Sequence, residues 1–392
     1  MRSLRTASRV IATATIFPLL AGLAHAQLMI VGNDQKVKIE NGATTMQPPG
    51  HDTLSIIDMS KPAALRIVAT IPLDNTIIGP PTNLAITPKG DIALVANSVN
   101  AVEKDGKWEV VSDDRVFVVD LQANPPAVIA TLHAGKRPSG MAISPDGTMA
   151  LVANRDDGTI SVLSIKGKEV KTTDTVAIGA PTDSVSAVAI TPDGKSALAV
   201  KSNVDKVAVL SIDNGKIAYD KKNDLPAGNF PYNVAVVPGG KIALIANTGG
   251  GGSSDGNVDT VSVVDLEAKP FHIVDHITVG DSPEGLVISP KGNLAVTVEA
   301  RGSNRSKDTW YYHPAGAVSI LAIDGTHVTL AGEANVGALP EGAAFSADGS
   351  YLYVGNFMDS DLSVFRVDGT KLTGADHFKL PGQPASMRAG PQ

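Results

Sequence analysis

The chain of 392 residues has no cysteine, only 4% aromatic residues with two tryptophans among them, and fewer basic than acidic side chains. Without cysteine there is no disulfide, no thiolate nucleophile or metal ligand, and no haem-attachment motif. Beyond residue 26 no stretch approaches the ~18 consecutive apolar residues that a spanning helix needs, so no membrane span is expected. The net charge is −7 and becomes −10 without the three arginines of the first 26 residues. A non-specific nucleic-acid binder needs a basic face to displace counterions from phosphates, and no Lys/Arg run is present, so nucleic acid is not an expected partner. What is abundant is turn chemistry: 38 glycines and 25 prolines in a chain that is 43% hydrophobic predict many short elements around a real core.

Residues 1–26 place Arg2, Arg5 and Arg9 before an apolar run from Val10 to Leu23 and then Ala24-His25-Ala26. That order is the pattern of a secretory signal peptide, which predicts export to the periplasm or beyond and a mature protein of residues 27–392. With no disulfide available, core burial and chain closure have to supply the stability.

The rest of the chain repeats. Ala85-Ile86-Thr87-Pro88-Lys89-Gly90 returns as Ala142-Ile143-Ser144-Pro145-Asp146-Gly147 and as Ala189-Ile190-Thr191-Pro192-Asp193-Gly194, with weaker copies near Val236, Ile288 and Phe345. Each reads as a strand, a Pro-x-Gly turn and a second strand; proline presets one turn position and glycine takes the left-handed one. A third strand of alternating apolar residues follows, seen in Leu54-Ser55-Ile56, Val162-Leu163, Val261-Ser262-Val263 and four other copies, and then a fourth. Four short antiparallel strands at a period of tens of residues predict an all-β, seven-bladed β-propeller, read as a single domain over residues 27–392. One hairpin is missing. Leu28-Met29-Ile30-Val31-Gly32-Asn33 resembles a second strand without its first, and Pro384-Ala385-Ser386-Met387 resembles a first strand without its second, so the two ends are expected to share one blade.

Tyr351-Leu352-Tyr353-Val354-Gly355-Asn356, after the turn at Ala347-Asp348-Gly349, resembles the unit of the YVTN-type propeller family, and the resemblance covers nearly the whole mature chain. It implies the fold but not the function. Propellers of this family and its relatives include secreted surface proteins, lactonases, DNA-binding periplasmic proteins and the heavy subunits of quinoprotein amine dehydrogenases.

Loops between second and third strands emerge on the face where propellers usually bind ligands. Three are minimal, at Arg155–Gly158, Ser202–Asp205 and Phe357–Ser360; four are long and read as irregular insertions, Asp34 to Asp52, Ser98 to Asp114, Thr248 to Asp259 and Ala300 to Gly316. Trp108 and Trp310 both fall in insertions, with Tyr311, Tyr312 and His313 following the second, which favours binding a small molecule or a periplasmic protein through Trp108, Trp310, Tyr311 and His313. Glu284 and Glu341 follow Pro283 and Pro340 at equivalent positions where the first strand meets the channel, with Asn83, Tyr232 and Asn233 at comparable places. Oxygen ligands there would suit a divalent cation such as calcium, held by Asn83, Glu284 and Glu341, or one glutamate would serve as a base. Lys201, Glu299 and Arg301 depart from the asparagine that ends other second strands, and with Arg137 and Arg155 they are expected to set mixed charges around the mouth.

The glycine run 249–252 lacks the Gly-Lys-Ser/Thr ending of a phosphate loop, and Asp255, Asn257 and Asp259 open like a calcium loop but lack its later glycine and glutamate. The residues therefore favour a monomeric exported binding or scaffold module. A lactonase-like hydrolase is the alternative, and an accessory subunit of a periplasmic quinoprotein-type dehydrogenase a third reading that rests on resemblance. Whether the protein is an enzyme stays open at this level.

Overall fold

A computed structural model describes residues 27–390, and the segment read as a signal peptide lies outside the described residues. Seven four-stranded antiparallel sheets surround a central channel. Counting from the closure, blade 1 joins Pro384–Ala389 to Leu28–Asn33, Thr53–Asp58 and Arg66–Pro72, and blade 2 runs from Leu84–Ile86 through Ile92–Ala96 and Arg115–Asp120 to Ala127–His133. The innermost strands of blades 3 to 7 are Pro138–Ile143, Val185–Ile190, Pro231–Val236, Pro283–Ile288 and Pro340–Phe345. Within each blade the strands pair in chain order outward.

Sequence pattern follows position in the blade. Second strands touch neighbours on both faces and read as unbroken apolar runs: Ile92–Ala96 and Ile242–Asn247 are buried at every residue. Fourth strands line the outer wall, and Arg66–Pro72 alternates exposed and half-buried side chains. Neighbouring blades share apolar layers, as where Leu94 and Val118 of blade 2 join Met141 and Val152 of blade 3. The five Pro-x-Gly turns and the sixth, Ala347-Asp348-Gly349, all place their last glycine in the left-handed region, from Gly90 at φ 67° to Gly147 at φ 72°.

The ends of the chain close the ring as expected. Leu28–Asn33 pairs with Thr53–Asp58 on one side and with Pro384–Ala389 on the other, so that Met29 faces both Ile57 and Ala389. A buried charge network sits beside this seam. Lys36, 1% exposed, reaches Asp52 at 2.6 Å and Asp34 at 3.6 Å and also donates to the Asn75 carbonyl. Asp34 accepts the amides of Lys36, Val37 and Ile77, and Asp52 accepts those of Gln35 and Asn75, which pins the segment leading into blade 2.

Two insertions differ from the irregular loops expected of them. Val37–Glu40 with Ala43–Met46, and Val99–Lys104 with Lys107–Ser112, form two-stranded ribbons that stand on the loop face. Their turns are Asn41-Gly42 and Asp105-Gly106, with positive φ at all four residues, the signature of a tight hairpin within a stretch otherwise rich in polar residues.

Replacing Lys36 with methionine leaves Asp34 and Asp52 buried without their cation, and stranding one member of a buried pair costs about 3–5 kcal/mol. Denaturant unfolding is expected to show a loss of that size for Lys36→Met and a partial recovery in Lys36→Met/Asp52→Asn. An unchanged midpoint for the single variant would mean that the network does not hold the seam.

Candidate active site at the channel mouth

The mouth is built by a recurring turn. Before the innermost strands of blades 3 to 7 stands a non-glycine residue in the left-handed region: Arg137, Ser184, Phe230, Ser282 and Leu339, with φ from 45° to 59°. Its carbonyl accepts the amide of the residue after the second strand, in the pairs Arg155 to Arg137, Ser202 to Ser184, Thr248 to Phe230, Ala300 to Ser282 and Phe357 to Leu339. The turn is backbone work and leaves the side chains free to vary. Two positions further on, the chain presents Ser139, Ser186, Tyr232, Glu284 and Glu341 in successive blades. Glycine next in line lets the inner strands crowd together: a Cβ at Gly285 would lie 2.3 Å from the Glu341 carbonyl, and one at Gly342 would lie 2.6 Å from Met387 Cγ.

Glu284 and Glu341 thus come from adjacent blades; Glu341 is withdrawn from bulk water and Glu284 is half-buried. Burial pushes the Glu284 carboxyl up to about 7, against the opposing pull of the Arg155 and Arg305 guanidiniums and a hydrogen bond from Ser282. Glu341, 1% exposed, is pushed up further, first by burial and then by the charge of Glu284, and its Oε2 has no hydrogen-bond partner. Tyr232 is held above the ordinary tyrosine range by burial, with Arg155, Glu284, Glu341 and Arg137 all acting on it electrostatically. The Arg155 guanidinium lies 5.8 Å from the Tyr232 ring centroid, and its Nε is 3.5 Å from Ser184 Oγ. Arg137 reaches Asp156 at 3.4 Å while its Nε stays buried without a partner. Thr82 Oγ1, Asn83 Oδ1 and Arg305 Nε are buried and unpartnered as well. Polar groups this far from water normally find partners, so such a concentration marks a place where water or a ligand completes them.

Sequence reasoning brought Glu284, Glu341, Tyr232, Arg137 and Arg155 to this mouth and missed Arg305 and Ser282. Arg305 sits in the blade 6 insertion, donates to the Ser254 carbonyl, and is reachable from sequence only through its membership in a long loop. Asn233 donates to the Glu284 carbonyl at 3.2 Å, and Asn83 donates to Asn75 Oδ1 and the Ala96 carbonyl, each at 2.8 Å.

Lys201 and Glu299 correct the expectation of charge at the mouth. In four blades the asparagine ending the second strand ties strands together; Asn154 donates to Thr159 Oγ1 and Ser161 Oγ, and Asn356 to Asp361 and Ser363. Glu299 occupies the same place, accepting from the Gly280 amide and Thr297 Oγ1 with its side chain fully buried. Lys201 pairs with Asp224 at 2.5 Å and with the Tyr219 hydroxyl at 3.2 Å inside blade 4. Both side chains are turned into their sheets. Arg301, half-buried with φ 49°, starts the blade 6 insertion.

The insertions form a continuous arc. Asn41 of the first ribbon accepts the Lys307 amide of the blade 6 insertion, the two ribbons touch, and Gly256 of the blade 5 insertion lies against Trp310 and Tyr311. Under the arc, Val37, Leu339, Phe357 and Ala385 make a small apolar cluster with Ile77 and Ile78 beside it. Trp310 is 80% exposed and meets Tyr311 edge-on at 5.3 Å, His313 is exposed, and Trp108 is half-buried on its ribbon opposite Glu103. Asp259 begins a strand and Leu266 is core, so the suggested calcium loop is a loop-to-strand junction; burial pushes Asp259 up to about 6.

Comparison with known proteins agrees with this architecture. The family described as lactonase, 7-bladed beta-propeller, matches residues 112–251. That stretch contains Arg137, Arg155 and Tyr232 and stops before the two glutamates. A curated relative, Antigen Lp49 of Leptospira interrogans, is 29% identical over 116 residues, 30% of this chain and 25% of its own length, so the match spans a quarter of that protein. Among solved structures, a functionally unknown protein from Desulfotomaculum acetoxidans aligns with a TM-score of 0.67 at 16% identity over 93% of this chain and 99% of that one. The periplasmic gluconolactonase of Pseudomonas aeruginosa aligns at 0.65 and 16% over 93% and 99%. A candidate 6-phosphogluconolactonase from Bacteroides fragilis aligns at 0.65 and 17% over 94% and 99%. Identities this low establish a shared seven-bladed propeller.

A glutamate raised to about 7 makes stability depend on pH. Between the ordinary value of 4.5 and about 7 the folded protein keeps a proton that the unfolded chain has lost, so this group's contribution to stability falls as pH rises through that window. The difference corresponds to about 3 kcal/mol. Relative to wild type, Glu284→Gln is expected to gain stability from pH 4.5 to pH 7.5 by that order in denaturant unfolding; parallel pH curves would show that Glu284 ionises normally.

Proposed function

We propose that the protein is a hydrolase of cyclic esters of sugar acids, acting at the channel mouth. The observation that carries this reading is the adjacent pair of half-buried Glu284, its carboxyl pushed up to about 7 against the pull of Arg155 and Arg305, and buried Glu341, its carboxyl pushed well above the ordinary value. Carboxyls whose environments push them apart suit a division into base and acid. In the proposed step Glu284, as carboxylate, takes a proton from water as its oxygen bonds to the lactone carbonyl carbon. The guanidiniums of Arg155 and Arg305 stabilise the oxyanion. Glu341 gives its proton to the ring oxygen as the C–O bond breaks, which leaves the hydroxy acid, and the proton on Glu284 then restores Glu341. The names of the gluconolactonase-type structural relatives support this reading over a scaffold role. Export, read from residues 1–26, agrees with the periplasmic description of one of them.

The mouth fits an anionic substrate better than a resident cation. Asn83 Oδ1 and Glu341 Oε2 are free oxygens, but Glu284 is answered by Arg155 and Arg305, Arg137 adds a further cation, and burial together with the charge of Glu284 pushes the Glu341 carboxyl toward its neutral form. Too little negative charge is left for a divalent ion, which prefers several ionised oxygens. The second reading, partner binding, is favoured by one observation, the exposed Trp310 on the arc.

Purified protein is expected to hydrolyse glucono-1,5-lactone or its 6-phosphate above the spontaneous rate, with activity rising as pH passes about 7 and Glu284 ionises. Loss of a general base typically costs about 10²–10⁴-fold in rate, and Glu284→Gln is expected to fall in that range. Arg155→Gln should lower kcat/KM most for the phosphorylated lactone, and chelator should change nothing. Wild-type rates in Glu284→Gln, or strict dependence on an added divalent ion, would overturn the mechanism. Capture of a specific protein that Trp310→Ala abolishes, with no lactone turnover, would favour partner binding.

A further inference from the structure

The channel has a second chamber below the mouth, a cavity of about 480 Å³ between the inner strands. Ile86, Ile143, Ile190, Val236 and Ile288, one from each of five blades, line it, and Pro88, Pro145 and Pro238 of the Pro-x-Gly turns frame its opening on the face opposite the insertions. One charged side chain lines it, Arg388. At the equivalent position, four residues after the start of the innermost segment, the other blades carry Ala85, Ala142, Ala189, Ala235, Val287 and Ala344. A small side chain therefore satisfies packing in six blades, and the ring does not need a guanidinium in the seventh.

Arg388 also has nothing to neutralise it. Its Nε donates to the Leu84 carbonyl at 3.4 Å, no described carboxylate pairs with it, and burial alone depresses its pKa with no anion offsetting that effect. A cation surrounded by aliphatic side chains is costly unless a counter-charge arrives. Guanidinium geometry matches a carboxylate through two parallel hydrogen bonds, and the aliphatic walls match a hydrocarbon body. The volume falls within the ~300–1,000 Å³ of small-molecule sites.

We propose that this lower chamber binds a medium-chain aliphatic carboxylate, with its head group on Arg388 and its tail along the isoleucine-lined wall. The site is separate from the mouth chemistry and independent of the hydrolase reading.

Isothermal titration calorimetry with octanoate tests it. Octanoate is expected to bind once per chain with a sub-millimolar Kd, and acetate and 1-octanol at least tenfold more weakly, because each lacks half of the recognition. Arg388→Ala installs the residue that five other blades carry, so it should unfold at the wild-type temperature and lose at least tenfold in octanoate affinity; Arg388→Lys should lose less. Glu284→Gln should bind octanoate as wild type does. Equal affinity in Arg388→Ala, equal binding of acetate and octanoate, no heat up to millimolar octanoate, or loss of binding in Glu284→Gln in place of Arg388→Ala would each overturn the proposal.

Discussion

The ring depends on one seam. A propeller blade buries its faces against its neighbours, so a gap anywhere would expose two apolar sheet faces and two strand edges at once. Here the gap is closed by backbone hydrogen bonds between the two ends of the chain, Leu28–Asn33 against Pro384–Ala389, without a covalent bond. Beside it Lys36 joins two buried aspartates to the Asn75 carbonyl, and Asn75 in turn holds Asn83 and Ser386. The same few residues thus connect the N-terminal ribbon, the C-terminal strand and the start of blade 2. Blade 1 is also the blade that supplies Arg388, so the closing strand delivers the channel's unpaired cation.

Repetition separates structure from chemistry in this chain. Turn glycines, strand-ending asparagines and aliphatic inner positions recur because every blade solves the same packing problem. Tyr232, Glu284 and Glu341 take positions that hold Thr82, Ser139 and Ser186 in other blades, and Arg388 stands among alanines. Each such departure places a large polar group where the repeat needs only a small one, and each is expensive in a buried setting. Not every departure is functional, however. Glu299 and Lys201 also break the pattern, but each restores the hydrogen bonding that asparagine provides elsewhere, Glu299 through Gly280 and Thr297, Lys201 through Asp224 and Tyr219. What distinguishes the two kinds is whether the protein itself supplies the partners.

That distinction explains what could be read in advance. Strand number, turn positions and shared-blade closure were legible because Pro-x-Gly and alternating apolar runs are local signals with fixed geometry. Glu284 and Glu341 were legible because their repeats align and the blades with Thr82, Ser139, Ser186 and Tyr232 carry no acid at that position. Lys201 and Glu299 looked like mouth charges because a sequence shows that asparagine is replaced but not that Asp224, forty residues from its own repeat's start, folds back to meet the lysine. The ribbons were hidden because their second strands, Ala43–Met46 and Lys107–Ser112, are largely exposed and only Val37, Val99 and Ala101 of the first strands are buried, too few to impose a clear alternation. Arg388 was not legible because the resemblance of the final segment to a first strand rests on Pro384-Ala385-Ser386-Met387 and ends before the arginine.

The two halves of the channel follow opposite physical rules. At the mouth, Arg155 and Arg305 act on Glu284, Arg137 and Arg155 act on Tyr232, and Glu284 in turn acts on Glu341, so in the proposed reaction the local field shifts as a proton moves. In the lower chamber a fixed cation faces aliphatic walls, with no described titratable partner to exchange protons with. An arginine stays charged across ordinary pH, so that chamber can attract and hold an anion but has no group there suited to proton transfer. In the two proposals one end of the channel serves acid–base chemistry and the other binding alone, and the inner strands that run between them join the two with a wall of small and aliphatic side chains.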